Sequence, residues 1–552
     1  MPTVGPSPTA VEDPAAPALV GVGPGALRRV LGDPSSFASV VELVPWAGEL
    51  GDPRGQRPLR MAQDLAGDPR ITALSVTDNA GGHARLGPEA AAAALRQLGH
   101  DVIVHVAARD RNRNALQSLG WDLLSRGLNT ILAISGDYPV DGFEGLARPV
   151  FDVDSVALLA MYRDLAEGAI ARALAEGSVD AGPHDLFLGC AVDPFKRLER
   201  DLVPQLLKLA LKARAGADFV MTQVGYDARC QDELLRWMRD AGVDLPVVAN
   251  AYILSPGVAR AFHAGRVPGC VVTDELLALV ERHAASVDKG RAFCLELAAK
   301  QLVVARGLGF RGIYLCGNRD ADEIRTVLEL AAAHDPGDWR ALVQDVSFRE
   351  RGAFHLFETD GAGLATDEPS RAYASTLAAS SRRRARAGVD PFYRFNRLVH
   401  RRVFEPGTVG FRTWAGIYGA VERAHLGRPL HVLEQAVKMP LYDCRDCGDC
   451  SLPDVAYLCP ESRCAKNQRN GPCGGSRDGR CEVGDRPCAW AEAYRRLKPY
   501  GEELTMLERA PVINDNRLRR TSAWANTFLE RDHFAARTRV ATASTTEKGS
   551  AS

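Results

Sequence analysis

The sequence lacks any apolar run approaching the roughly 20 residues that would span a bilayer. It lacks net charge as well. Its 68 Lys and Arg residues balance 69 Asp and Glu residues, a formal charge of −1, which gives no global attraction to nucleic acid or an anionic membrane. The opening stretch MPTVGPSPTAVEDPAAP has no basic patch followed by an apolar core, so a secretory signal is not expected there. A disordered leader over residues 1–35 and a cytoplasmic protein are expected instead. Cysteine is absent from the first 189 residues, and then very unevenly used. Cys190, Cys230, Cys270, Cys294 and Cys316 are scattered and read as small buried hydrophobes. Eight more crowd between 444 and 488, and without an export signal they read as metal ligands rather than disulfides.

The length of 552 residues asks for more than one domain, because single cores stop growing near roughly 250–300 residues. From about residue 36 an apolar strand, polar residues at its end and an amphipathic helix recur. The strands read as Ser39–Pro45, Ala73–Asp78, Val102–Asp110, Thr130–Asp137, Leu186–Asp193, Phe219–Asp227, Pro246–Leu254 and Gly312–Gly317. Eight β/α units in this span are what a closed (β/α)8 barrel needs, and an open doubly wound sheet is the alternative. Count favours the barrel, so the expected class is α/β.

Polar residues recur at the strand ends: Glu42, Thr77, Asp78, His105, Asp110, Asp137, Asp193, Gln223 and Asp227. In a barrel these ends converge on one mouth. Each one singly could be a helix cap or a loop contact, and His105 could be a hydrogen-bonded core histidine. Glu42 lies between Val41 and Leu43, and a desolvated carboxyl has a raised pKa.

The motifs VVELVP (40–45), ALSVTDNAGG (73–82), VHVAARDRN (104–112), AISGDYP (133–139), AGADFVMTQVGYD (215–227) and GFRGIYL (309–315), in this order, resemble the methylenetetrahydrofolate reductase family over about residues 36–335. The resemblance implies a flavin-containing (β/α)8 barrel that reduces 5,10-methylenetetrahydrofolate to 5-methyltetrahydrofolate, with FAD or FMN as cofactor. It places Glu42 as the catalytic acid and Asp137 beside both flavin and pterin. It makes Gln223 a substrate-binding residue, as Glu42 and Asp137 also are, and Thr77, His105, Asp137 and Lys212 the flavin contacts. An acid is needed because opening the five-membered ring requires a proton on the leaving nitrogen.

Three departures stand out. Ser135 replaces the arginine that usually precedes Gly-Asp, Asp78 stands where some members have an aromatic residue, and the loop ILSPGVARAF has no aromatic at the place where some members stack nicotinamide.

Residues 336–390 read as a linker containing an Arg-rich run at 382–387. A second core is expected over 391–505, and a tail over 506–552 that is largely disordered at its end. That core carries Cys444, Cys447, Cys450, Cys459, Cys464, Cys473, Cys481 and Cys488. The opening C-x2-C-x2-C, with Pro460 after Cys459, is ferredoxin-like, but eight residues separate Cys450 from Cys459 where ferredoxins have three. The segment resembles the cysteine-rich C-terminal domain found with some bacterial methylenetetrahydrofolate reductases. A [4Fe–4S] cluster is the leading expectation and zinc the alternative, since thiolate ligands accept both. The expected partners are a tetrahydrofolate substrate and an electron donor, ferredoxin or NAD(P)H. A homo-oligomer is left open; nucleic acid and membrane are not expected. An NAD(P)H-dependent reductase with a structural zinc domain, and a flavin-free folate-dependent methyltransferase or demethylase, are the alternative activities.

Overall fold

The structure is a computed structural model, and it describes residues 25–168, 184–374, 390–507 and 511–535. The leader up to residue 24, the Arg-rich run and the last residues of the tail lie outside that range. Eight parallel strands close into a barrel in sequence order: β1 (Ala38–Leu43), β2 (Ala73–Val76), β3 (Val102–Ala107), β4 (Thr130–Ile134), β5 (Phe187–Val192), β6 (Phe219–Thr222), β7 (Val247–Tyr252) and β8 (Gly312–Cys316). Closure is made by β1 on β8, with Ala38 opposite Gly312 and Val41 opposite Leu315. All eight strands expected from the sequence are present. Their near-continuous apolar character reflects burial on both faces.

Alternation along each strand then sorts the side chains. Val41, Leu74, Val104, Ile131, Leu188 and Val220 face the helices, whereas Val40, Ala73, Ile103, Leu132, Phe187 and Phe219 fill the barrel. Gly189 makes room inside: a Cβ there would stand 2.3 Å from the ring of Phe219, which stacks on Phe187 at 4.9 Å.

The amino ends of the strands are closed by the helix Ala26–Gly32, which falls in the stretch expected as leader. Leu27 and Leu31 enter the barrel cluster, and Asp101 at the start of β3 accepts the Leu27 N–H at 2.8 Å. The stretch expected as linker is folded as far as residue 374. Its antiparallel hairpin, β9 (Phe357–Thr359) and β10 (Ala365–Pro369), packs on the helix Ala228–Asp240. Arg229 donates to the Phe357 carbonyl at 2.7 Å, and Asp232 accepts the Ala365 N–H at 2.9 Å. An apolar-pattern reading misses this junction because buried charged groups make it.

After residue 390 the helices Pro391–Val399, Val409–Arg423 and Gly427–Tyr442 lead into the cysteine-rich loops. Gly427–Tyr442 turns its polar side inward: Glu434 and Lys438 form a buried pair at 2.9 Å, while Val432, Leu433 and Met439 are exposed. Part of the stretch expected as tail also folds. His533 is held in the interior by Asp449 and, at 3.0 Å, by Asp454. No helix among the described residues is long and apolar enough to cross a membrane.

Candidate functional site

The alternation that fills the barrel also carries polar groups to its mouth. Continuing inward from Ala38 and Val40 gives Glu42; from Ala73, Ser75 and Thr77; from Ile103, His105; from Phe219 and Met221, Gln223. Tyr314 on β8 donates its hydroxyl to Glu42 Oε1 at 3.2 Å. Ser75 hydrogen-bonds both Tyr314 and, at 2.8 Å, His105 Nε2. A polar chain thus runs Glu42–Tyr314–Ser75–His105 across four strands. Burial pushes the Glu42 carboxyl up to about 7, although the Tyr314 hydrogen bond opposes this. Burial pushes the His105 imidazole down to about 4, so it is neutral at physiological pH. Thr77 Oγ1 is buried with no hydrogen-bond partner, an orphaned group of the kind a ligand satisfies.

Asp137 lies beyond β4, where Gly136 turns at φ +83°; a Cβ at that glycine would meet Ala107 Cβ at 2.9 Å. Its Oδ2 accepts the Gly81 N–H at 2.8 Å. Gln223 accepts the Val224 N–H at 2.8 Å, and its amide nitrogen faces Gly269, 3.0 Å from where a Cβ would stand. The buried thiol of Cys270, pushed up to about 12 by burial, feels the charges of Asp193, Asp137 and Glu42, which places these groups around one mouth.

Other strand-end acids have structural partners. Asp78 accepts from the Ala107 N–H at 3.0 Å and from Arg111 at 2.9 Å. Asp110 pairs with the fully buried Arg109, which also donates to the carbonyls of Asn79 and Asp137 at 3.2 and 3.1 Å. Asp193 pairs with Lys196 at 2.6 Å, and Asp227 caps the helix Ala228–Asp240. Lys212 sits not at the mouth but in the layer between β5 and the helix Glu199–Arg214. There it donates to the Ala191 carbonyl at 2.6 Å, beside Cys190, and burial pushes it down to about 8.

Sequence reasoning missed Tyr314, Ser75 and Tyr252. The signal was a polar residue at an inward position of an apolar strand, which the motifs GFRGIYL and ALSV both contain. Tyr252 ends β7, packs against the barrel interior, meets the ring of Phe262 edge-on at 5.2 Å and feels the charge of Glu42, so this quarter of the mouth has an aromatic ring.

The cysteine-rich loops sort into two sets of four. Cys444, Cys447, Cys450 and Cys459 line one small cavity together with Lys438 and Arg469. Cys464, Cys473, Cys481 and Cys488 are close enough to influence one another's charge. Backbone N–H groups point at several sulfurs: Asp446 at Cys444 (3.4 Å), Gln468 at Cys464 (3.5 Å) and Val483 at Cys481 (3.4 Å). Lys438 Nζ stands 3.5 Å from Cys450. This donor chemistry suits thiolate ligands, which N–H groups stabilise. As the side chains lie, no group of three or more His, Cys, Asp or Glu among the described residues has the arrangement of a metal site.

Residues 54–281 match the model of the family Methylenetetrahydrofolate reductase, and residues 424–516 match the model Methylene-tetrahydrofolate reductase C terminal. No curated protein matches the chain. Among solved structures, a protein from Clostridium thermocellum that binds two copies of 5-methyl-5,6,7,8-tetrahydrofolic acid is similar at 11% identity and TM-score 0.37, over 56% of this chain and 97% of that one. A 2,3-dimethylmalate lyase is similar at 14% identity and TM-score 0.32, over 57% and 87%. An aldo-keto reductase from Bacillus halodurans is similar at 15% identity and TM-score 0.32, over 57% and 93%. Likeness at these scores identifies no function. The barrel belongs to the methylenetetrahydrofolate reductase family, and the chain carries the C-terminal domain of that family after it.

Proposed function

We propose that the protein reduces 5,10-methylenetetrahydrofolate to 5-methyltetrahydrofolate with a bound flavin, in the cytoplasm. The observation that carries the reading is the Glu42 carboxyl, half-buried in the mouth of a family barrel, hydrogen-bonded by Tyr314 and pushed up to about 7 by desolvation. A carboxyl with that pKa can deliver a proton to the leaving nitrogen of the folate ring, where an ordinary glutamate would already be ionised. Tyr314 fixes its orientation, and His105, neutral and anchored on Ser75, keeps further charge out of the pocket. Gln223 offers an amide donor and acceptor to the mixed edge of a pterin. Asp137 supplies a carboxylate to the same ring system. Thr77, His105 and Asp137 would hold the flavin, which supplies the hydride when bound. The orphaned Thr77 hydroxyl supports that assignment; the position of Lys212 gives it no comparable support.

The eight cysteines would hold metal in two centres, iron–sulfur in the leading version, which relays electrons from ferredoxin. The alternative is structural zinc with NAD(P)H as donor, and Tyr252 at the mouth keeps a ring available for nicotinamide. Anaerobic purification, a visible spectrum and iron and zinc analysis test both at once. Flavin bands with iron, and formation of 5-methyltetrahydrofolate by the reduced protein, are expected. Zinc without iron, with rapid flavin bleaching by NADH, would replace the relay by the alternative. A protein that binds no flavin when supplied with it would overturn reduction and favour a methyltransferase or demethylase.

A further inference from the structure

The loop from Cys464 to Ser476 lies across the carboxyl ends of β4 and β5, and its contacts are buried and polar. Lys466 Nζ donates to the Gly136 carbonyl at 2.7 Å and forms an ion pair with Glu482. Gln468 Oε1 accepts from Ser135 Oγ and from Lys208 Nζ, both at 2.9 Å. Lys208 also reaches the Gly471 carbonyl at 3.1 Å. Lys196, paired with Asp193, donates to the carbonyls of Gly474 and, at 2.9 Å, Ser476. The Gly474 carbonyl comes within 3.5 Å of the Cβ position at Gly269, which in turn faces Gln223. Lys196, Lys208 and Lys466 are 6%, 1% and 4% exposed, and Gln468 is fully buried.

Burying three ammonium groups is costly unless every one is hydrogen-bonded, so an interface built this way tolerates little displacement. The groups it holds are Ser135 and Gly136, the two residues before Asp137. Ser135 is neutral, and the ammonium that reaches this turn, 2.7 Å from the Gly136 carbonyl, comes from Lys466, 330 residues downstream of Gly136.

We propose that the C-terminal domain completes the barrel's folate site, with Lys466 as the positioning residue that fixes the Gly136-Asp137 turn. The inference rests on the functional reading above. It makes the loop between Cys464 and Cys473 part of the substrate site, so that loss of order at those cysteines is felt as loss of folate affinity.

The test uses the full-length holoprotein and its Lys466→Met, Lys466→Arg and Ser135→Ala variants. Binding of 5-methyltetrahydrofolate, KM and kcat, metal content and thermal unfolding are measured for each. Lys466→Met should weaken folate binding and raise KM at least tenfold with kcat within about twofold and metal content unchanged. Lys466→Arg, which keeps the cation, should restore most of that loss. Ser135→Ala, which cuts only the Gln468 contact from the barrel side, should weaken binding about threefold. Unchanged folate affinity in a folded, metal-replete Lys466→Met protein overturns the proposal. Should that variant lose metal or unfold early, Ser135→Ala decides: weaker binding upholds the proposal and unchanged binding overturns it. A wild-type protein that does not bind folate defeats the functional reading itself, whereas binding that neither variant alters defeats only this inference.

Discussion

Tyr314 and Glu42 meet across the seam where β8 closes on β1, with the phenol hydroxyl 3.2 Å from Oε1. The contact ties the acid to barrel closure. Any change that loosens the seam also frees the group expected to deliver the proton.

Glu42→Gln should leave flavin and folate binding near wild type and lower the rate of folate reduction by about 10²–10⁴-fold, the range for loss of a general acid. Near-normal turnover would show that another group supplies the proton. The wild-type rate should fall as pH rises through about 7, because the protonated carboxyl is the active form. Stability follows the same group. Its folded pKa is raised, so the folded protein holds the proton more tightly than the unfolded chain. The stabilisation is complete below the ordinary value of 4.5 and is lost as pH rises through about 7, by at most on the order of 3 kcal/mol. Glu42→Gln should flatten that dependence in urea unfolding between pH 5 and 8.

Tyr314→Phe removes a donor to the ionised form of Glu42, so it should raise the acid's pKa further. One hydrogen bond is worth about 0.5–1.5 kcal/mol, so the alkaline limb of the rate profile should move upward by as much as about one pH unit. A downward shift would mean that the phenol does not act on Glu42.

Thr77→Val replaces a buried hydroxyl that has no partner in the protein. Stability should be unchanged or slightly higher, since nothing within the chain is lost. Flavin affinity should fall about threefold to tenfold, the value of one hydrogen bond, and a flavin titration measures it. Unaltered affinity would place the flavin contact elsewhere.

Cys447→Ser and Cys473→Ser touch different four-cysteine sets. Each should remove about half of the bound metal per chain, and the double variant nearly all of it, as read by elemental analysis. Loss of all metal from either single variant would mean one shared centre.

His533→Ala leaves the carboxylates of Asp449 and Asp454 buried without their cation; both side chains are 1% exposed. Breaking such a cluster by removing one member costs about 3–5 kcal/mol. The C-terminal domain should melt well before the barrel in calorimetry, and a single unshifted transition would contradict the pinning role.

What the sequence determined is local in origin. Two-sided burial writes continuous apolar runs, so all eight strands were legible. The period of two then assigns Glu42, Thr77, His105 and Gln223 to the inside once one neighbour's side is known. Helix-capping chemistry made the bland reading of Asp227 available in advance, and the structure adopts it.

Lys212 shows the limit. The resemblance made it a flavin contact, but the helix that carries it packs on the outside of β5 and its ammonium donates to the Ala191 carbonyl. Closure decided that Tyr314, 272 residues from Glu42 in sequence, is its hydrogen-bond donor. Domain docking decided that Lys466 stands over Gly136, and folding of the loops decided how eight evenly suitable cysteines divide four and four. The inward polar side of Gly427–Tyr442 follows from the same cause, because Glu434 and Lys438 serve groups that only the tertiary fold brings beside them. Periodicity reports which face of an element is buried, and it carries no record of what lies against that face.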